Sequence, residues 1–194
     1  MFDGFPSEEV YFARGAIPPE QTPKNLQESS SCARTDAQIS DTFGSVARSI
    51  QRWPRMRVDC THFPISTAIA GVILDLEPGA LRELHWHPNA DEWQYVIEGK
   101  ISVTMFGAQV RFRAEVLNTG DVGYIPEDYR HSIENVNSEA SRILIGFNSG
   151  IYESIDLSSW IAGNPVDVLA TNFDKPESLI RTFPRKDVFI APRG

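Results

Sequence analysis

The sequence predicts an all-β domain (a sandwich, jelly roll or barrel) with less regular segments at both ends. Three observations carry this. Short runs rich in β-branched and aromatic residues recur at about ten-residue spacing from about residue 57 to residue 147. Gly, Pro, Asn and Asp separate them, and no helical period falls between them. The length, 194 residues, suits one domain with extensions, since a domain takes about 150 residues. At 41% hydrophobic and 23% charged, the composition is that of an ordinary globular chain.

Taken in order, residues 1–53 read as an arm. Pro18-Pro19, Pro23 and Ser29-Ser30-Ser31 leave little periodicity there, apart from a short amphipathic helix around Asp36–Ser49. Residues 54–150 are the barrel. Its strand candidates are Ile69–Leu76, Glu92–Ile97, Ile101–Phe106, Val110–Val116, Val122–Ile125, Ser132–Val136 and Arg142–Phe147. Gly99, Gly107, Asn118-Thr119-Gly120-Asp121 and Pro126 close four of them. Residues 151–194 form a C-terminal extension with short helical turns at Leu157–Ile161, Val166–Ala170 and Pro176–Thr182.

Charge and cysteine content exclude several classes. Eighteen basic against 26 acidic residues give a net charge of −8, with no Lys/Arg run longer than two. A phosphate-tracking surface needs a basic patch, so nucleic acid is not an expected partner. The two cysteines, Cys32 and Cys60, form no CxxC; one disulfide is allowed but not required, and both read as inert. The N-terminus lacks the basic start and apolar run of a signal peptide, and no stretch of 18 apolar residues exists. A soluble cytoplasmic protein, away from membranes, is the expectation.

Three of the four histidines fall in one arrangement. Gly79-x5-His85-x-His87-x4-Glu92-x6-Gly99 occupies a strand-turn-strand, and Gly120-x5-Pro126-x4-His131-x3-Asn135 the next one. Two residues apart on a strand, His85 and His87 point to one face. Glu92 lies across a short turn, and His131 comes from another hairpin. Three imidazoles and a carboxylate converging in a small barrel would bind Mn, Fe, Zn, Ni or Cu. Four protein ligands leave an octahedral Mn or Fe with two open cis positions, suited to a bidentate acid or dioxygen. Gln94, two residues beyond Glu92, can face the same interior. Trp86, Trp93 and Trp160 read as packing on the barrel wall and C-terminal turn, Tyr124 and Tyr152 as pocket or rim, and His62 as a surface or capping residue.

These two motifs resemble the paired signatures of the cupin superfamily. The strings Phe63-Pro64-Ile65-Ser66, Glu77-Pro78-Gly79-Ala80-Leu81-Arg82-Glu83-Leu84-His85-Trp86-His87-Pro88 and Ile155-Asp156-Leu157-Ser158-Ser159-Trp160 are similar to the C-terminal half of bicupin oxalate decarboxylases. The resemblance covers residues 57–190. It implies a double-stranded β-helix, a jelly-roll barrel, that binds Mn(II) through His85, His87, Glu92 and His131, with Fe, Ni, Cu or Zn as alternatives. It also implies that Arg82 orients a substrate carboxylate, that O2 is a possible co-substrate, and that the chain assembles as a homodimer or larger ring.

The chain departs from that family in four places. It holds one cupin unit where the family carries two. Ile145 stands where the C-terminal half has a glutamate. The segment Asn148–Ser154 does not reproduce the family's lid, and Glu153 is its nearest acid and the candidate proton donor. Asp128 replaces the usual glycine of the second motif. The expected function is a metal-dependent cupin enzyme on a small carboxylic acid, of the oxalate decarboxylase or oxidase type. The alternatives are a tailoring oxygenase, isomerase or cyclase with a larger organic substrate, and a non-enzymatic small-molecule-binding cupin.

Overall fold

A computed structural model of the chain describes Phe12–Ala13 and residues 55–192. The expected helix at Asp36–Ser49 lies outside these residues, as does Cys32. Among the described residues, twelve strands run as β1 (Phe12–Ala13), β2 (Arg55–Val58), β3 (Ala70–Leu76), β4 (Leu81–Trp86), β5 (Glu92–Glu98), β6 (Lys100–Phe106), β7 (Phe112–Asn118), β8 (Val122–Ile125), β9 (Arg130–Asn135), β10 (Ser141–Phe147), β11 (Ile155–Asp156) and β12 (Ile190–Ala191). Three short helices, α1 (Leu157–Gly163), α2 (Val166–Phe173) and α3 (Glu177–Ile180), lie between β11 and β12.

The strands form two antiparallel sheets. One has the order β1-β8-β5-β10-β3-β2; the other has β11-β4-β9-β6-β7, with β12 also on β4. Burial alternates with a period of two along β3 and β10, as a strand with one face inward requires. Val72, Leu74, Leu76, Val96, Ile101, Val103, Ile133 and Ile143 interdigitate between the sheets, each at most 4% exposed. Fully burying such a side chain stabilises the fold by about 1.5–3 kcal/mol, so the alternation fixes the register of each strand.

The turns follow their residues. Glu77-Pro78-Gly79-Ala80 closes on an Ala80 N–H to Glu77 carbonyl bond of 2.9 Å, with Gly79 at φ 72°. Proline at the second position and glycine at the third are what a type II turn demands. At Pro126-Glu127-Asp128-Tyr129 the same third position holds Asp128 at φ 65°, a residue that tolerates the left-handed region.

Several expectations need correction. The strand expected at Val110–Val116 begins at Phe112 instead, because Gln109 and Val110, both at φ 60°, form the β6–β7 turn. Trp160 lies on α1, in the C-terminal turn as expected, but is 41% exposed there. Strands β2, β11 and β12 are short and lack a period, so they leave no signal in the sequence. Cys60 is disulfide-bonded; the sequence holds one other cysteine, Cys32.

Candidate metal centre

The pairing of β4 with β9 sets His85 directly opposite His131, their rings 4.0 Å apart between centroids. The facing sheet supplies Glu92 at the start of β5, opposite Phe147 of β10. His87 follows the end of β4. All four residues are at most 3% exposed, and one donor atom from each lies within 4.8 Å of the others. The sequence expected this set, and the structure brings it together.

Each imidazole has one nitrogen committed to the backbone. Nδ1 of His85 lies 2.7 Å from the Glu83 carbonyl, that of His87 2.6 Å from the Glu153 carbonyl, and that of His131 2.9 Å from the Tyr129 carbonyl. A carbonyl only accepts, so each Nδ1 carries a proton, and Nε2 is the ring nitrogen left to face the centre of the site. This is the arrangement by which outer contacts fix histidine ligands on a metal. Nε2 of His131 sits 3.1 Å from Glu92 Oε2. Nε2 of His87 is 2.9 Å from the same oxygen but off the angle of a hydrogen bond, so it is buried without a partner. A buried ring nitrogen without a partner, beside a carboxylate, fits a cation.

The charges agree. Burial, and then the neighbours His131 and Arg82, hold His85 well below its usual range, so it stays neutral. Burial alone would raise the Glu92 carboxyl. Its neighbours His131 and His87 outweigh this, and Glu92 lies well below the usual carboxylate range. Gln94 faces the interior, as expected, and its amide donates to Glu92 Oε1 at 2.7 Å.

A β-bulge places Arg82. Between Arg82 and His85 the register on β9 slips by one: three steps on β4 match two on β9. On a regular strand residues three apart face opposite sides; here Arg82 and His85 both face inward. Arg82 is 2% exposed, and its guanidinium donates to Asp156 at 2.5 Å and to the Phe189 carbonyl at 3.3 Å, with the Phe189 ring stacked 3.9 Å from it. The neighbouring Glu83 is also buried; it accepts from Ser158 N–H and hydroxyl and from Phe189 N–H. Asp156, Ser158 and Phe189 come from the C-terminal extension and were missed from sequence. Phe189 meets Arg82 across 107 residues, a separation no local pattern reports.

Beside the four residues is a small cavity of about 10 Å³, lined also by Arg82, Ile145, Phe147, Tyr152 and Phe189. That holds one water-sized sphere. Tyr152 separates it from an open groove of about 480 Å³ lined by Arg57, Glu153, Asp156, Ser159 and Asp187. Ile145, the residue standing where the resembling family has a glutamate, lies on the cavity wall. Glu153 does not enter the cavity: its carboxylate is exposed on the groove, and only its carbonyl reaches His87.

Comparison with known proteins adds family and scale. A family model described as Cupin matches residues 56–178. The oxalate decarboxylase OxdC of Bacillus subtilis is 40% identical over 116 residues, covering 60% of this chain and 30% of that protein. An oxalate decarboxylase of Arthroderma benhamiae is 35% identical over 134 residues, covering 69% of this chain and 32% of its own. The chain thus spans about a third of the length of these oxalate decarboxylases. A solved structure of the Bacillus subtilis oxalate decarboxylase at pH 4.6 superposes with a TM-score of 0.70 at 31% identity, over 76% of this chain and 40% of that one. Another structure of that enzyme, from a study of its Mn(II) centres, gives 0.69 at 32% identity, over 75% and 39%.

Proposed function

Because the chain belongs to the cupin family, we propose that it is a metal-dependent enzyme acting on a small carboxylic acid, with Mn(II) held by His85, His87, Glu92 and His131. The observation that carries this is the set of three Nδ1–carbonyl contacts. They leave three imidazole Nε2 atoms and one carboxylate gathered at a single buried point. Fe, Ni, Cu or Zn would suit the same donors. A bound metal of this kind supplies Lewis acidity and, as Mn or Fe, one-electron chemistry with dioxygen.

The chain's own residues do the rest. Arg82 offers N–H donors to a carboxylate at the edge of the cavity. Ile145, Phe147 and Tyr152 exclude water. Glu153, whose carboxylate lies on the open groove, is the proposed proton donor. With Ile145 unable to donate, conversion of oxalate to formate and CO2, which needs a proton on carbon, is expected to be weak. Ile145 also favours a second reading, an organic acid larger than oxalate, since it makes the wall apolar.

A homo-oligomer is part of the proposal, supported by the resemblance alone. Among the described residues no helix is long and apolar enough to cross a membrane.

Metal analysis of the purified protein is the test. About one Mn per chain is expected in wild type and none in His87→Ala; a variant that keeps full metal overturns the assignment. Formate quantified from oxalate at pH 4–5 tests the chemistry. Turnover within the usual enzyme range of about 1–10³ per second overturns the weak-oxalate reading, and Glu153→Gln then shows whether Glu153 is the donor.

A further inference from the structure

We propose that the mouth of this site disfavours small dianions and selects an acid whose single carboxylate is joined to an uncharged or cationic body. The inference rests on the reading of a metal-bound carboxylate and goes on to its partner groups. Arg82, the one cation among the described residues that line the cavity, is already neutralised by Asp156, both side chains being at most 7% exposed. It can orient a carboxylate but adds no net positive charge for a second one.

Space points the same way. The cavity beside the four ligands holds about 10 Å³, so an organic acid placing its carboxylate there must leave its body in the groove beyond Tyr152. That groove, about 480 Å³, is within the range of small-molecule sites. Its lining carries the carboxylates of Glu153 and Asp187, besides Asp156 already paired with Arg82, against one guanidinium among the described residues, Arg57. Arg57 is itself 3.4 Å from Asp59 and leans over the Tyr152 ring. Glu83 lies behind, close to Asp156 and Asp187. Burial and the charges of Asp156 and Glu83 push the Asp187 carboxyl up, as expected where negative charge accumulates. Clefts lined by one sign of charge steer ligands of the other sign and repel their own.

The test uses the Mn(II)-loaded full chain and three probes of similar size: oxalate (two carboxylates), glycolate (one, with a hydroxyl) and glycine (one, with an ammonium). Binding is read from the Mn(II) EPR signal at about 20 mM and 500 mM salt, where the Debye length falls from roughly 20 Å to 4 Å. Added salt should tighten oxalate several-fold, glycolate less, and leave glycine unchanged. Asp187→Lys should tighten oxalate at low salt about tenfold relative to glycine and reverse the salt effect; Asp187→Asn should give a smaller change in the same direction. Equal salt responses for the three probes, or no change in the oxalate-to-glycine ratio in both variants, overturns the selection while the metal site stands. Loss of Mn(II) from wild type on desalting overturns the metal reading and this inference with it.

Discussion

His85 and Glu92 are held in unlike charge states by one environment, and both make the metal-free fold sensitive to acid. His85 has its pKa depressed by burial and by His131 and Arg82, so the unfolded chain binds a proton there that the fold refuses. Its contribution is fully present above about 6.5, the unfolded histidine value, and is lost as pH falls from there. Glu92 is depressed too, against its own burial, by His131 and His87; its contribution is present above about 4.3 and is lost as pH falls further. Both signs agree. The metal-free protein should therefore lose stability steadily from pH 7 to pH 4, by up to about 1.4 kcal/mol per pH unit for each proton taken up. Urea midpoints across that range check this. His85→Leu should flatten the part between pH 6.5 and 5; an unchanged slope there would remove His85 as the cause.

The strands and turns carry constraints of two kinds that a glycine pair separates. Gly99, at φ 92°, joins β5 to β6, and a Cβ there would fall 2.2 Å from Ser141 Oγ and 2.9 Å from Ser141 Cα. Gly120, at φ 87°, ends the β7–β8 turn with open space around it. Gly120→Ala should cost only the left-handed backbone, about 1–3 kcal/mol. Gly99→Ala adds a clash with β10 backbone and should cost clearly more. Chemical denaturation of the two variants compares them, and equal losses would mean that β10 yields without cost. The bulge in β4 is the element on which the site depends, because it turns Arg82 inward beside His85.

At the scale of the whole molecule, the C-terminal extension is part of the barrel rather than an appendage. It supplies every partner named above for two buried charges: Asp156 and Phe189 for Arg82, Ser158 and Phe189 for Glu83. Leaving one buried charge without its partner costs about 3–5 kcal/mol, and a domain has about 5–15 kcal/mol in total. Removing residues 155–194 should therefore leave a chain that does not fold, read by circular dichroism and size exclusion. A folded truncated barrel that binds Mn(II) would refute this. At the other end, Phe12–Ala13 pairs with Val122–Gly123 at the edge of β8. Deleting residues 1–40 should change oligomeric state, solubility or activity; no change in any of them would refute a docked arm.

The sequence by itself determined the strands, most of the turns and the four converging ligands. Strand alternation, turn residues and the spacing of His85, His87, Glu92 and His131 are local, and a sheet converts local parity directly into a shared face. The short helices after Gly150 were equally legible. Tertiary structure alone decided what surrounds those ligands. Arg82 lies three residues before His85, which on a regular strand puts them on opposite faces; only pairing with β9 creates the bulge that reverses this. Asp156, Ser158 and Phe189 reach β4 through contacts 74 to 107 residues long, and β11 and β12 are two residues each, too short for any period. Glu153 sits beside a ligand in the chain fold, yet its carboxylate faces the groove, because the contact its position makes is through the backbone. Charge balance at the mouth was hidden for the same reason: it is a sum over segments distant in sequence that meet only once the barrel closes.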